Sequence, residues 1–389
     1  MPAELSVVHF EARGRSFEVH CDRSVHDAVA SMLGSLTRRK DGGGACASRF
    51  AIRRERATPH LWSVRVDGRP MMSGELLADA LDAFMMFVNQ RVVSAREDVL
   101  SIHAAGVVVD GVGVVMPAPS GGGKTTLCAR LVQQGAAYLS DESVGLAPDG
   151  MVLGYPKPLG FKRGTLESFG DVDLSDVDLG AGPQSVWQVP PARLGAHTAA
   201  TAVASLVVLP RFAALAPLRT DRVTRAVAAQ ELISQALNLR TFGTAGALAV
   251  VGRVVAGCTG WAVSFGDGRD AAAAVLEVAG THRAGPPVPF LVVRAPAADG
   301  GPGAGPVPAA DVSALCFEEG AVLVREGSGA TATTDRIGAL VWPLLDGSRT
   351  EKALAEELSA SFDAPAGQVE ADVARWIDQL VELGFVLRP

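Results

Sequence analysis

Apolar and polar residues alternate through "LSVVHFEA" (5–12) and "LWSVRVDG" (61–68). That period of two predicts half-buried strands. Between 74 and 91 the period changes. Leu77, Ala80, Leu81, Phe84 and Met85 recur at helical spacing, which predicts an amphipathic helix whose Met/Phe stripe faces a core. Further on, "GVVVDGVGVVM" (106–116) is two apolar runs around Asp110-Gly111. Both central positions of a two-residue hairpin need positive φ, so Asp-Gly here predicts a tight antiparallel turn. The strand leaving that turn enters a glycine loop, followed by a helix over 124–134 with Leu127, Leu131 and Val132 on one face and Gly135 at its end. An antiparallel partner for that strand is not the pattern of an ordinary parallel-sheet ATPase. The run 136–155 reads strand, turn at Pro148-Asp149-Gly150, strand; 204–210 reads as a buried strand, and 221–240 and 244–257 as helices. "AVLVRE" (321–326) and "GATATT" (329–334) predict short strands, and three helices follow over 335–345, 350–362 and 365–383. The last carries Val369, Val373, Trp376, Leu380 and Leu383 on one face, between Pro365 and Gly384.

The chain has 389 residues, 48% apolar and 20% charged, enough for two or three packed domains. "APAADGGPGAGPVPAA" (295–310) can bury little and predicts a linker. The expected divisions are a small α+β region over 1–95, a second domain over 96–294, the linker, and a C-terminal winged-helix-like domain over 311–389. No apolar run reaches the roughly 18 residues that span a bilayer, and the N-terminus has no basic stretch followed by an apolar one, so neither a membrane partner nor a signal peptide is expected. Cys21, Cys46, Cys128, Cys258 and Cys316 form no CxxC pair. That fits a reducing cytoplasm and no metal cluster. The net charge of −7 is local: residues 312–389 hold 13 acids and 6 bases, and the remainder balances at 29 of each. A winged helix can bind DNA, but such binding draws on Lys and Arg, so a module of this charge argues against a nucleic-acid partner.

The chemistry concentrates around the glycine loop. Ser120-Gly121-Gly122-Gly123-Lys124-Thr125-Thr126 completes the pattern GxxxxGK[ST], with Ala118 where the first Gly would stand. Glycines let successive backbone N–H groups turn toward one anion, and the following helix start favours negative charge. By that pattern the segment 120–126 holds ATP, Lys124 reaches its β- and γ-phosphates, and Thr125 holds Mg²⁺. Asp141 and Glu142 end the next strand, 17 and 18 residues after Lys124. One suits a place in the Mg²⁺ shell, for which Asp141 joins Thr125, and the other suits acceptance of a hydroxyl proton. The spacing leaves open which acid is the base.

From His103 to Val144 the run "HAAGVVVDGVGVVMPAPSGGGKTTLCARLVQQGAAYLSDESV" resembles HPr kinase/phosphorylase and its shorter relatives. His103, Gly111, Gly113, Ser120, Gly121, Gly123, Lys124, Thr125, Asp141 and Glu142 fall in register without gaps. The resemblance extends over roughly 100–290. It implies an α/β fold with a P-loop kinase core like that of phosphoenolpyruvate carboxykinase, and an active site of His103, Lys124 and the second acid. Two departures stand out: Ala118 replaces Gly, and Glu142 replaces a second Asp. "YPKPLGFKRG" (155–164) resembles the Pro-rich turn and basic residue of the shorter relatives, which makes Lys162 a candidate for charge stabilisation at the transferring phosphate. The resemblance also allows a homo-oligomer.

The C-terminal segment is similar to PqqD-type peptide-recognition domains, through "LLDGSRT" (344–350) and the Phe-Asp-Ala-Pro start of the third helix. Such domains bind the leader of a ribosomally made precursor peptide as an added strand. The combined expectation is an ATP- and Mg²⁺-dependent kinase acting on a Ser or Thr hydroxyl of a precursor peptide. Two rivals are a kinase of a small molecule or carrier protein, and a nucleotide-dependent peptide chaperone without catalysis.

Overall fold

The computed structural model describes residues 5–36, 46–170, 172–173, 186–295, 305–362 and 365–388. The chain forms two compact units, one of residues 1–221 with 261–283, the other of 222–260 with 284–389. The described residues hold five sheets with helices throughout, a mixed α/β structure.

The first unit opens with β1 (Leu5–Ala12) and β2 (Arg15–Asp22), a hairpin turned at Arg13-Gly14, whose φ values of 48° and 72° make the tight turn that twisted strands prefer. Helix α1 (His26–Met32) connects β2 to β3 (Ser48–Arg54), which lies parallel to it; β4 (Trp62–Val66) and β5 (Arg69–Gly74) complete the sheet in the order β1-β2-β3-β4-β5. Helix α2 (Leu77–Ser94) buries Leu81, Phe84, Met85 and Val88 against it. Phe50 and Phe84 meet edge to face at 5.4 Å, an arrangement that satisfies the ring quadrupoles. The Met/Phe stripe is core, as its spacing predicts, except that Met86 is exposed.

The central sheet follows. It comprises β6 (Leu100–Ile102), β7 (Ala104–Val109), β8 (Val112–Pro117), then helix α3 (Lys124–Gln133), β9 (Ala137–Ser140), β10 (Val144–Leu146) and β11 (Met151–Leu153). A small separate pair, β12 (Leu159–Phe161) and β13 (Trp187–Val189), brackets α4 (Arg163–Ser168). The long β14 (Thr201–Phe212) completes the path β6-β10-β11-β14-β8-β7-β9. Asp110 and Gly111 have φ of 48° and 84°, and β7 pairs antiparallel with β8 as expected. On its other side β8 pairs parallel with β14, so the strand that enters the glycine loop has one neighbour of each kind.

The predicted helix over 221–240 begins later than expected. Residues Arg219–Val223 are strand β15, and the helix proper is α5 (Arg225–Ser234), started by Thr224, whose hydroxyl accepts from the Val227 N–H. Short α6 (Leu239–Phe242) and α7 (Thr244–Ala256) follow, then β16 (Thr259–Phe265), which pairs with β14, and α8 (Gly268–Thr281). Helices α3 and α8 pack together, with Leu127, Leu131, Ala271 and Val275 buried in one core under the central sheet.

The second unit has a sheet ordered β17-β19-β20-β21, made of β17 (Leu291–Arg294), β19 (Val312–Phe317), β20 (Gly320–Arg325) and β21 (Thr331–Asp335); the two-residue β18 (Val307–Pro308) pairs elsewhere. Helices α9 (Arg336–Val341), α10 (Glu351–Phe362) and α11 (Ala366–Glu382) build a core around Trp342, Leu354, Ile377 and Leu380. The final β22 (Val386–Leu387) pairs with β18. Every residue of β19 is buried and β20 is buried to its last residue, which requires cover on both faces. Helices α5 and α7 supply it from the side away from that core. Nine of the residues of α7 are buried, an all-round apolar helix held inside a layer.

Two expected boundaries therefore move. The division at 294 does not separate the compact units: 222–260 and β17 group with the C-terminal sheet. The linker expected over 295–310 is packed at its end, where Val307 and Pro308 pair with Leu387 and Val386; residues 296–304 lie outside the described residues. Among the described residues no helix is long and apolar enough to cross a membrane.

Candidate active site

The glycine loop joins β8 to α3 at the floor of a cleft of about 1020 Å³. Gly121 and Gly123 have φ of 86° and 90°, the left-handed region. At Gly123 there is no room for a side chain either: a Cβ would lie 2.7 Å from Phe265 Cζ and 3.0 Å from Phe212 Cβ. Gly122 donates its N–H to the Pro119 carbonyl at 3.1 Å, and the Gly123 carbonyl accepts from Leu127 at 2.9 Å, starting α3. Ala118 is buried, and a Cβ at Gly122 would come within 2.9 Å of its methyl. The methyl thus fills the back of the loop rather than the cleft.

Lys124 Nζ donates to the Ala118 and Pro119 carbonyls at 2.6 and 3.0 Å, inside the loop's own curve. Burial lowers its pKa, against the pull of Glu142 and Asp141. Ser120, Gly121, Gly123, Lys124, Thr125 and Thr126 all line the cleft. Thr125 Oγ1 donates to Asp141 Oδ2 at 3.1 Å, and Thr126 shares a 3.3 Å hydrogen bond with Thr165.

The two adjacent acids have different surroundings. Asp141 is 1% exposed. Its Oδ1 accepts from the Lys157 ammonium at 2.7 Å and the Tyr138 hydroxyl at 2.9 Å; its Oδ2 accepts from Thr125 and from the Gly160 N–H at 3.2 Å. Burial alone would raise this carboxyl, but the Lys157 charge and the donated hydrogen bonds outweigh it and hold the pKa below the ordinary carboxylate range. Glu142 has a side chain 42% exposed to the cleft. Its turn is fixed by Ser140 Oγ, which accepts from the N–H groups of Glu142 and Ser143 at 3.3 and 3.2 Å.

His103 closes the group. Its Nδ1 lies 3.0 Å from the Glu142 carbonyl and 3.4 Å from Glu142 Oε1. A carbonyl only accepts, so Nδ1 carries the proton and Nε2 is left as an acceptor. Burial, then the nearby Lys124 charge, lower the His103 pKa, with Glu142 opposing. Burial and the lysine thus favour the uncharged imidazole. Lys162, just before α4, lines the cleft as an exposed ammonium.

The cleft thus gathers Ser120, Lys124, Thr125, Thr126, Asp141 and Glu142, singled out by motif and spacing, with His103 and Lys162, singled out by the family resemblance. Four groups escaped that reading. Lys157 sits in the quoted turn "YPKPLGFKRG" beside Lys162, but nothing in its local pattern reveals that its ammonium is 3% exposed and paired to Asp141. Arg130 on α3 also lines the cleft, its guanidinium 3.7 Å from the Phe169 ring centroid. From α2 come Asp82, Met85, Met86 and Asn89, so the N-terminal region builds one wall. Asp82 accepts from Gln188 Nε2 at 2.9 Å, and burial raises its pKa. The opposite end is formed by Phe212 and the turn Gly266–Arg269, written with no motif at all.

A phosphate chain fits this donor set: a cradle without Cβ atoms, a lysine, and two hydroxyls at a helix start. The oxygen donors present fit magnesium, which takes few protein ligands when it is bound with phosphates. Among the described residues no three His, Cys, Asp or Glu converge as a cage, and Mg²⁺ takes one or two protein ligands with phosphate oxygens and water. Thr125 and the Glu142 carboxylate are the oxygens at hand, while Asp141, expected as a ligand beside Thr125, has its oxygens held by four donors.

No curated protein matches this chain. Two solved structures resemble parts of it. TbiB1 in complex with the TbiA(beta) leader peptide is 18% identical, over 20% of this chain and 92% of that one, with a TM-score of 0.19. The Hpr(Ser) kinase/phosphatase from Coxiella burnetii is 12% identical, over 47% of this chain and 95% of that one, with a TM-score of 0.22. Residues 320–386 match the family "Coenzyme PQQ synthesis protein D (PqqD)", so the C-terminal segment of this chain is a PqqD domain.

Proposed function

We propose that the protein is an ATP-dependent kinase with a phosphoenolpyruvate carboxykinase-like P-loop core, which phosphorylates a Ser or Thr hydroxyl of a precursor peptide recruited by its winged-helix-like PqqD domain. The observation that carries this is the convergence, in one cleft, of the glycine loop and Lys124 with a half-exposed Glu142 carboxylate 3.4 Å from His103. In the reaction the acceptor oxygen attacks the γ-phosphorus, the bond to the β–γ bridging oxygen breaks, and ADP leaves. The acceptor proton passes to Glu142, the acid with a free face to the cleft. Asp141, enclosed by four donors, instead positions Thr125 and reaches any metal through it. His103 fixes the Glu142 backbone and aims it. Lys124 and the loop amides hold the phosphates, and Lys162 offsets charge as it moves to the leaving oxygen. Magnesium, when bound with ATP, neutralises the phosphates.

The acceptor comes in along the α2 wall, where Asp82, Met86 and Asn89 face the same space as Glu142. In the PqqD segment, β21 is an edge strand beside α11, tied to it by Trp376 Nε1 donating to Thr334 Oγ1 at 2.9 Å. A leader added there brings its core segment to a kinase on the same chain, raising effective concentration without tight binding in the cleft. The test is mass spectrometry of a precursor peptide incubated with protein, ATP and Mg²⁺. Gain of about 80 Da, the mass of one phosphoryl group, is expected on a Ser or Thr. Lys124→Ala and Glu142→Gln should both abolish it, the latter by about 10²–10⁴-fold for a lost general base. Peptide that binds but gains no mass would favour the chaperone, and transfer to a small hydroxyl compound alone would favour the other kinase reading.

A further inference from the structure

Phe212 is an anomaly of placement. It is the last residue of β14, which is buried from Leu206 to Pro210, yet its own side chain is 47% exposed and lines the cleft. Its position is held from three directions. Its N–H points to the Gly122 carbonyl of the phosphate loop at 3.4 Å, its Cβ lies against Gly123, and its ring rests on the fully buried Phe265 at 5.7 Å between centroids, tilted 58°. The ring is thereby supported on the Phe265 side while the residue keeps 47% of its surface exposed.

The surroundings of that ring are small. Gly266, Asp267 and Gly268 line the cleft next to it. A Cβ at Gly266 would come within 2.9 Å of the Leu215 and Ala216 backbone nitrogens, so the 213–216 turn closes down on this corner. Asp267 Oδ1 is used in capping α8, accepting from the Arg269 and Asp270 N–H groups at 2.6 and 3.3 Å, which keeps the turn rigid. The groups assigned to chemistry bear on one another instead: Glu142 and Lys124 act on His103, and Glu142 acts on Asp82. The cleft thus carries His103, Asp141 and Glu142 in one part, and in another an exposed aromatic ring beside the Gly266–Arg269 turn, whose Asp267 carboxylate is engaged in capping α8.

We infer that the Phe212 corner is a nucleobase subsite, in which the aromatic base of a nucleoside triphosphate stacks on the exposed face of Phe212 while its phosphates lie in the adjoining loop. This rests on the reading of 120–126 as a triphosphate cradle and adds what selects the rest of the ligand. Stacking on an aromatic side chain tolerates any base, because every base has a π-face. The site therefore demands a base without discriminating strongly among them.

The experiment is calorimetric titration of the full chain, wild type and variants, with Mg²⁺·ATP and with Mg²⁺·tripolyphosphate, which has the phosphates and no base. Phe212→Ala should weaken ATP about ten- to a hundredfold, the usual worth of one base–aromatic stack, and leave tripolyphosphate unchanged. Phe212→Trp should keep ATP at or near wild-type affinity. Because Phe212 is a half-exposed residue, thermal unfolding should be nearly unaltered in both. Equal ATP binding by wild type and Phe212→Ala would overturn the base subsite and leave the phosphate cradle standing. Parallel loss of ATP and tripolyphosphate would also overturn it, since Phe212 would then be a mere support of the loop. A wild type that binds neither would overturn the cradle and the subsite together.

Discussion

At the residue scale the most consequential feature is the buried pair Asp141–Lys157, at 2.7 Å with side chains 1% and 3% exposed. An ion pair of this burial contributes little against an apolar alternative, but losing one member strands the other charge. Lys157→Met should cost about 3–5 kcal/mol at pH 7, read by urea unfolding, and should disorder the Thr125 contact as well. The pH dependence carries a sign that checks the cause. In the wild type the Asp141 pKa is held below its unfolded value, so its contribution is present above about pH 4 and is lost as pH falls through the lowered folded value. In Lys157→Met, burial is unopposed by the ammonium and the Asp141 pKa rises above its unfolded value. The variant should then regain stability as pH falls from 7 toward 4, where the wild type gains nothing. A variant whose deficit is constant between pH 7 and 4 would mean that the pair is not what Lys157 supplies. The sequence could name Asp141 and Glu142 as a pair of acids, since adjacency is visible. It could not say that one is enclosed and the other open, because that depends on Tyr138, Lys157 and Gly160, three, sixteen and nineteen residues away from Asp141.

At the scale of elements, the pattern reading works where a local rule governs. Asp110-Gly111, the α3 stripe of Leu127 and Leu131, and the end of α3 near Gly135 are all set by turn chemistry or helical period. It fails where pairing decides. The segment "RTDRV" of β15 has no apolar alternation, and the packed end of the expected linker is a strand only because β22 lies beside it. The β1–β2 turn shows a further kind of information that periodicity lacks. Arg13 at its tip is half-buried, with its pKa lowered to about 10 chiefly by desolvation. Its Nη1 donates to Ser101 Oγ at 2.9 Å, and its Nη2 donates to the Ser143 carbonyl at 2.8 Å and Ser143 Oγ at 3.0 Å. Ser101 is two residues before His103 and Ser143 directly follows Glu142. One guanidinium thus ties together the two segments that carry His103 and Glu142. Arg13→Met leaves buried Ser143 acceptors unpaired, at about 1–3 kcal/mol for each orphaned group. It should lower stability by that order in urea unfolding and lower kcat while the KM for ATP holds, because the phosphate loop is not touched. A variant with wild-type stability and kcat would remove the N-terminal region from any part in aligning the site.

At the scale of the whole molecule, the chain joins two kinds of recognition with separate physical bases. The first unit offers a glycine loop in a cleft; the second offers a sheet whose central strands are covered on both faces and whose β21 lies at an edge. An edge strand presents unpaired N–H and C=O groups along its length. On β21 the sequence "TATTD" keeps Thr333 and Asp335 exposed, and the ladder from Thr331 to Asp335 is already paired on its inner side with Val324 to Gly320. A peptide of either sign must meet a module of net charge −7 over 312–389, which disfavours acidic segments and suits a leader that makes its contacts through backbone. Addition of a leader strand would protect the outward amides of β21, and it would do so whether or not phosphoryl transfer follows. Hydrogen exchange followed with saturating leader should therefore slow within 331–335 and along the facing side of α11 near Trp376, and should leave the phosphate loop unchanged. ATP without peptide should give the converse, slowing 120–126 and sparing β21. If leader instead protects the α2 wall of the cleft and not β21, recruitment is done by the cleft itself, and the PqqD segment must serve some other contact.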